Sequence, residues 1–130
     1  MSARIAENVK NTILELIADL REAIFVDPSE QGDLLKAEFF FQRMGNTAIT
    51  DHVVTHVLPH KDKIVKRDAQ FFLDQKEKFF SKLPADRVDH FASMVKRPES
   101  EGGLSDDDRS SIWRYFDALV ILAEQYKKTK

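Results

Sequence analysis

Seven of the ten phenylalanines stand in adjacent runs: Phe39-Phe40-Phe41, Phe71-Phe72 and Phe79-Phe80. Successive residues of an α-helix point about 100° apart, and an amphipathic helix needs one apolar residue in three or four. An adjacent aromatic pair therefore widens the apolar face beyond a single stripe. A chain built this way must pack helices on more than one side or keep an aromatic face for a partner.

The rest of the sequence reads as helix. Ile5, Val9, Ile13, Leu16, Ile17, Leu20 and Ile24 repeat at spacings of three and four. This predicts a helix from about Ser2, its candidate N-cap, to about Phe25. Asp27-Pro28 ends it and opens a second helix, with Glu30 placed for a capping box. That helix runs through Leu34, Leu35, Phe39 and Met44 to a Gly45-Asn46 stop. The intervening turn is short, so the first two helices should pack antiparallel. A third helix, capped by Asn46 or Thr47, carries Ile49, Val53, Val54, Val57 and Leu58. Pro59 should kink or break it, at a cost of about 3 kcal/mol if left in a helix interior.

A fourth helix is expected from about His60 to Leu83, with Ile64, Val65, Phe71, Phe72, Phe79 and Phe80 in its stripe. Pro84 starts a fifth through Val88, Phe91 and Val95. Pro98 to Gly103 is a loop. Ser105 caps a last helix, with Asp106, Asp107 and Asp108 at the positive end of its dipole and Lys127 and Lys128 at the other. Its core face carries Ile112, Phe116, Leu119, Val120, Ala123 and Tyr126. No stretch alternates with period two. The expected fold is all-α: a compact bundle of five or six helices in one domain spanning residues 1–130, with a kink or break near Pro59.

Composition narrows the function classes. Cysteine is absent, which excludes a disulfide framework and thiolate-ligated zinc. The N-terminus has no apolar secretory core, and no apolar run approaches the roughly 18–20 residues of a membrane span. The expectation is a cytoplasmic protein with no membrane association. Charge is unevenly spread around a net −2: residues 1–60 balance at −4, 61–97 at +4 and 98–130 at −2. The basic middle is neutralised across helix interfaces, or it faces an anionic partner.

No P-loop, G-x-G-x-x-G, nucleophile elbow or kinase motif occurs, and nothing assembles a nucleophile with a base. The chain reads as a non-enzyme without a cofactor. His52, His56 and His60 are spaced by four, and His52 with His56 could bind a transition metal on one helix face. Two solvated histidines are the plainer reading, since Pro59 disturbs the third position. Asp68 and Gln75 are polar groups near an apolar stripe, expected to pair with a neighbouring helix or to sit at its wet edge. Trp113, Tyr115 and Phe116 beside Arg114 could stack on bases, but suit helix packing better.

With the helices placed, Ile64-x3-Asp68-x2-Phe71-Phe72-Leu73, followed by Ile112-Trp113-x-Tyr115-Phe116-x2-Leu119-x2-Leu122-Ala123-x2-Tyr126, resembles small uncharacterised helical proteins of large double-stranded DNA viruses of eukaryotes. The resemblance covers roughly the C-terminal half. It implies a late or virion-associated role, or an accessory role in infected cytoplasm, and carries over no catalytic residue.

Three classes of function remain. The first is an interaction or structural protein that meets a protein partner, or itself, through Phe39, Phe40 and Phe41, with the outer face of the fourth helix as a further contact. The second is a nucleic-acid-associated protein using Lys61, Lys63, Lys66, Arg67, Lys76, Lys78 and Lys82. The third is a small metal-binding protein built on His52 and His56.

Overall fold

The three-and-four spacing of the first segment forms α1, Ser2–Ala23. It buries Val9, Ile13, Leu16, Ile17 and Leu20, with Ile5 half-buried near its start. The computed structural model describes residues 2–23, 25, 27–75, 78, 80, 81 and 83–129. The expectations for Ile24, Lys76, Phe79 and Lys82 lie outside the described residues.

Helix α2 is Pro28–Arg43, with Pro28 in its first turn, where the missing N–H costs nothing. The Glu30 carboxylate accepts from the Asp27 amide at 3.4 Å, the returning half of the expected capping box. Helix α3, Asn46–His56, is capped by Gly45 rather than by Asn46 or Thr47. A single 3₁₀ turn at Leu58–His60 then leads into α4, Lys61–Val65. These three pieces form one rod bent at Pro59. Helix α5 is Gln70–Asp74, α6 is Ala85–Lys96 and α7 is Asp106–Lys128. With the bent rod counted once, the fold has six helices and no strand among the described residues. Helix α1 packs against α2, α3 and α7.

The expected continuous helix from His60 to Leu83 is not what forms. It stops after Val65, and the reason is local. The Asp68 amide donates to the Lys63 carbonyl at 2.8 Å, and the Arg67 amide to Ile64 at 3.1 Å. Those two bonds make a Schellman motif, which needs a left-handed residue at its fifth position. Arg67 fills it with φ +56°, the only non-glycine with positive φ among the described residues. Asp68 then turns its carboxylate back to accept from the Gln70 amide at 3.0 Å, so it is an exposed cap and not a buried acid. Val65, expected in the stripe, is 64 % exposed because the helix ends there.

The chain folds back after the break, and the aromatic core depends on that. In a continuous helix residues 72 and 80 would stand about 12 Å apart along the axis. Their ring centroids lie 6.2 Å apart. Phe72 is a hub: its ring also meets Phe91 at 4.6 Å, Trp113 at 4.9 Å and Phe116 at 5.4 Å. Phe71 meets Phe116 at 5.3 Å. Phe71, Phe72, Phe80 and Phe116 are buried. Centroids at these separations are the favourable tilted and edge-on arrangements, each contributing about 0.5–1.5 kcal/mol beyond area burial.

Gln75 departs from expectation. It is completely buried, at the edge of this aromatic core, and neither its amide nitrogen nor its amide oxygen has a partner among the described residues. The loop from Pro98 to Gly103 forms as read. Gly102 is left-handed at φ +86°, and a Cβ on Gly103 would lie 2.0 Å from the Arg97 carbonyl oxygen. Ser105 caps α7 by accepting from the Asp108 amide at 3.1 Å.

Candidate interaction surfaces

Helix α2 buries Leu34, Ala37 and Phe41, a spacing of three and four. That register turns Leu35, Phe39 and Phe40 outward, where they are 37 %, 60 % and 36 % exposed. They are three of the five large apolar side chains exposed among the described residues. The triplet thus divides. Phe41 belongs to the core, against the expectation that it contacts a partner, while Phe39 and Phe40 remain on the surface. Lys36, Phe39, Phe40, Arg43 and Met44 line an open depression of about 650 Å³. The acids of α2 are engaged elsewhere: Glu38 pairs with Arg21 at 2.8 Å, and Asp33 and Glu30 with Arg87 at 3.1 and 3.5 Å. Lys36 and Arg43 have no acidic partner among the described residues. The surface is an aromatic ridge with a positive rim.

Three cations of the basic segment are ion-paired on the surface of the fold. Lys61 pairs with Glu124 at 2.9 Å, and Lys63 with Asp74. The Lys63 ammonium, then the Gln70 amide, hold the Asp74 carboxyl below the usual carboxylate range. Arg67 meets both oxygens of Asp117, at 2.6 and 2.8 Å, which raises its already high pKa. Its guanidinium also lies 5.7 Å from the ring centroid of Trp113, which is buried, so no base can stack on that indole. Lys66 and Lys78 are exposed.

A different set of cations does come together. Arg67, Lys96, Arg109 and Arg114 line an open groove of about 920 Å³, with Asp68, Ser110 and Pro98. They come from the turn after α4, the C-terminal end of α6 and one face of α7. Arg109 is a strut: it donates to the carbonyls of Val95 at 2.7 Å, Leu104 at 3.1 Å and Arg97, and to Asp106 at 3.0 Å. Sequence reasoning missed Lys96 and Arg109 here, because nothing in the linear pattern joins α6 to α7. Arg67, in the basic segment, and Arg114, beside Trp113, were already candidates.

His52 and His56 lie edge to face with centroids 4.7 Å apart, both half-buried. His60 packs on Phe71 at 5.7 Å. Burial, then the nearby Lys63 charge, lowers its pKa. Among the described residues no three His, Cys, Asp or Glu side chains are grouped to hold a metal. Tyr115 donates to Asp19, a contact between α7 and α1, and its own pKa is raised by burial and by that carboxylate. Among the described residues no helix is long and apolar enough to cross a membrane. Compared with protein-family models, curated proteins and solved structures, the chain gives no match.

Proposed function

We propose that this chain is an interaction protein whose outer α2 face docks an acidic segment with an apolar side. The observation that carries this reading is the exposed apolar surface of Phe39 and Phe40, which line one depression with Lys36 and Arg43, with Leu35 exposed nearby on the same helix. Scattered single apolar side chains need no explanation; a contiguous aromatic patch does. Aromatic anchors ringed by polar residues are the usual composition of interface hot spots. The charge argues for an unlike partner. A two-fold dimer through this face would set the Lys36 and Arg43 charges of both copies against each other, whereas an acidic partner complements them. The resemblance to viral helical proteins supplies a proposed setting, a particle or the cytoplasm of an infected cell.

A photo-crosslinking side chain at position 39, in the native cell, tests this. The expected result is one discrete adduct that is lost in a Lys36→Glu/Arg43→Glu background. The same probe at Ile121, a singly exposed apolar residue on α7, is the control. Identical adduct patterns from positions 39 and 121 would sink the reading.

A further inference from the structure

We propose that the groove between the turn after α4, the end of α6 and α7 is a sequence-independent site for the phosphate backbone of single-stranded nucleic acid. Two of its four cations are fixed in place by the fold. Arg109 is locked by three backbone carbonyls and Asp106. Arg67 is held by both oxygens of Asp117. The other two, Lys96 and Arg114, are exposed and have no acidic partner among the described residues. Arg114 makes only a 3.4 Å bond to the Ser110 carbonyl of its own helix. Ser110, also on the lining, adds a hydroxyl donor. The lone acid on the lining, Asp68, is engaged by the Gln70 amide. A fixed frame that presents two cations without an ion-pair partner among the described residues, and a hydroxyl, suits phosphate oxygens.

The backbone at Arg67 supports a site here. A left-handed arginine costs about 1–2 kcal/mol relative to a glycine, and residues in such conformations cluster at functional positions. The strain sets the guanidinium between Trp113 and Asp117, where it roofs the indole and forms part of the groove wall. With the indole covered, no aromatic platform is left for bases, so recognition is confined to the backbone. The groove is open rather than closed over a ligand, which lets a strand pass through it. This surface shares no lining residue with the α2 patch, so it stands or falls independently of the proposed partner site.

The test is fluorescence anisotropy of a labelled oligothymidylate with the full chain across a salt series. Two to four neutralised phosphates give a log–log salt slope of about −1.4 to −2.8 on a single strand. Lys96→Ala and Arg114→Ala should each weaken binding roughly two- to fivefold and flatten the slope by about 0.7, with the folding transition unmoved. The Lys36→Ala/Arg43→Ala variant should bind as wild type. No binding in low salt overturns the proposal. So does an equal loss in the Lys36/Arg43 variant, which would mark diffuse charge attraction. Competition by tripolyphosphate at the same concentration of phosphate groups as the oligonucleotide also overturns it, in favour of a small-anion pocket.

Discussion

Replacing Arg67 by glycine and by alanine separates what its backbone costs from what its side chain returns. The left-handed conformation costs a non-glycine residue about 1–2 kcal/mol. Against that stand the ion pair with Asp117 and the stack on Trp113. The pair is bidentate, but its side chains are 44 % and 35 % exposed, so solvent screening limits it to about 0.5–1 kcal/mol. The cation–π contact at 5.7 Å contributes about the same. Arg67→Ala keeps the strain and loses both contacts, a destabilisation of about 1–2 kcal/mol. Arg67→Gly loses the same contacts, relieves the strain, and pays about 0.5–1 kcal/mol in the entropy of the unfolded chain. It should therefore lie between alanine and wild type, about 0.5–1 kcal/mol above alanine. At about 2.1 cal/mol/K per residue, a 130-residue chain shifts its melting temperature by roughly 4 °C per kcal/mol. Calorimetry should place alanine about 4–7 °C below wild type and glycine about 2–4 °C above alanine. A glycine variant no more stable than alanine would mean that residue 67 is not left-handed in solution. A glycine variant clearly above wild type would mean that Asp117 and Trp113 return nothing. Repeating Arg67→Ala in an Asp117→Ala background isolates the pair, with an expected coupling of about 0.5–1 kcal/mol.

Two other positions give direct readouts. Gln75→Met, close to isosteric, replaces a fully buried amide that lacks partners. It should raise stability by about 1–3 kcal/mol in urea titrations at unchanged m-value, and a loss instead would show that the amide is bonded in solution. The pKa of His60 is lowered from 6.5 chiefly by burial, so the folded state favours the neutral ring. Its contribution is fully present above pH 6.5 and fades as pH falls through the lowered value. The urea midpoint should drop between pH 7.5 and 5, and His60→Gln should shrink that drop; an unchanged drop in the variant assigns the step to other groups.

The long, strongly periodic segments were legible in the sequence because one physical signal fixes each of them. The α1 stripe, the Pro28 start of α2, the bend at Pro59 and the Ser105 cap of α7 all follow from local chemistry. The break at Arg67 was not legible, since a Schellman stop usually announces itself with glycine or asparagine and here an arginine takes the position. What holds it there is tertiary: Asp117 lies fifty residues along the chain. Gln75 misled for the opposite reason. A polar residue beside an apolar stripe suggests a wet edge, but tertiary packing buries Gln75 completely. The ion pairs of the basic segment were illegible for a related reason. Proximity in sequence says nothing of pairing: Lys61, Lys63 and Arg67 find acids on other elements, while Lys96 and Arg114 have none among the described residues.

The phenylalanine runs show where periodicity stops being informative and a single small residue decides. Reading α2 through Leu34, Leu35, Phe39 and Met44 leaves its inner face undefined, because those positions spread around the helix. Counting Ala37 as apolar gives Leu34, Ala37 and Phe41 at spacings of three and four, the stripe that the fold buries. Leu35 and Phe39 are then also four apart, and they share the other side with Phe40. Two interleaved stripes cannot both face α1. Phe39, 60 % exposed, could be lysine or glutamate at little cost to the core, whereas Phe40 also packs edge-on against Phe41 at 5.4 Å. Phe39 and Phe40 on this outer side, beside Lys36 and Arg43, which have no acidic partner among the described residues, are therefore the feature on which the proposed partner surface rests.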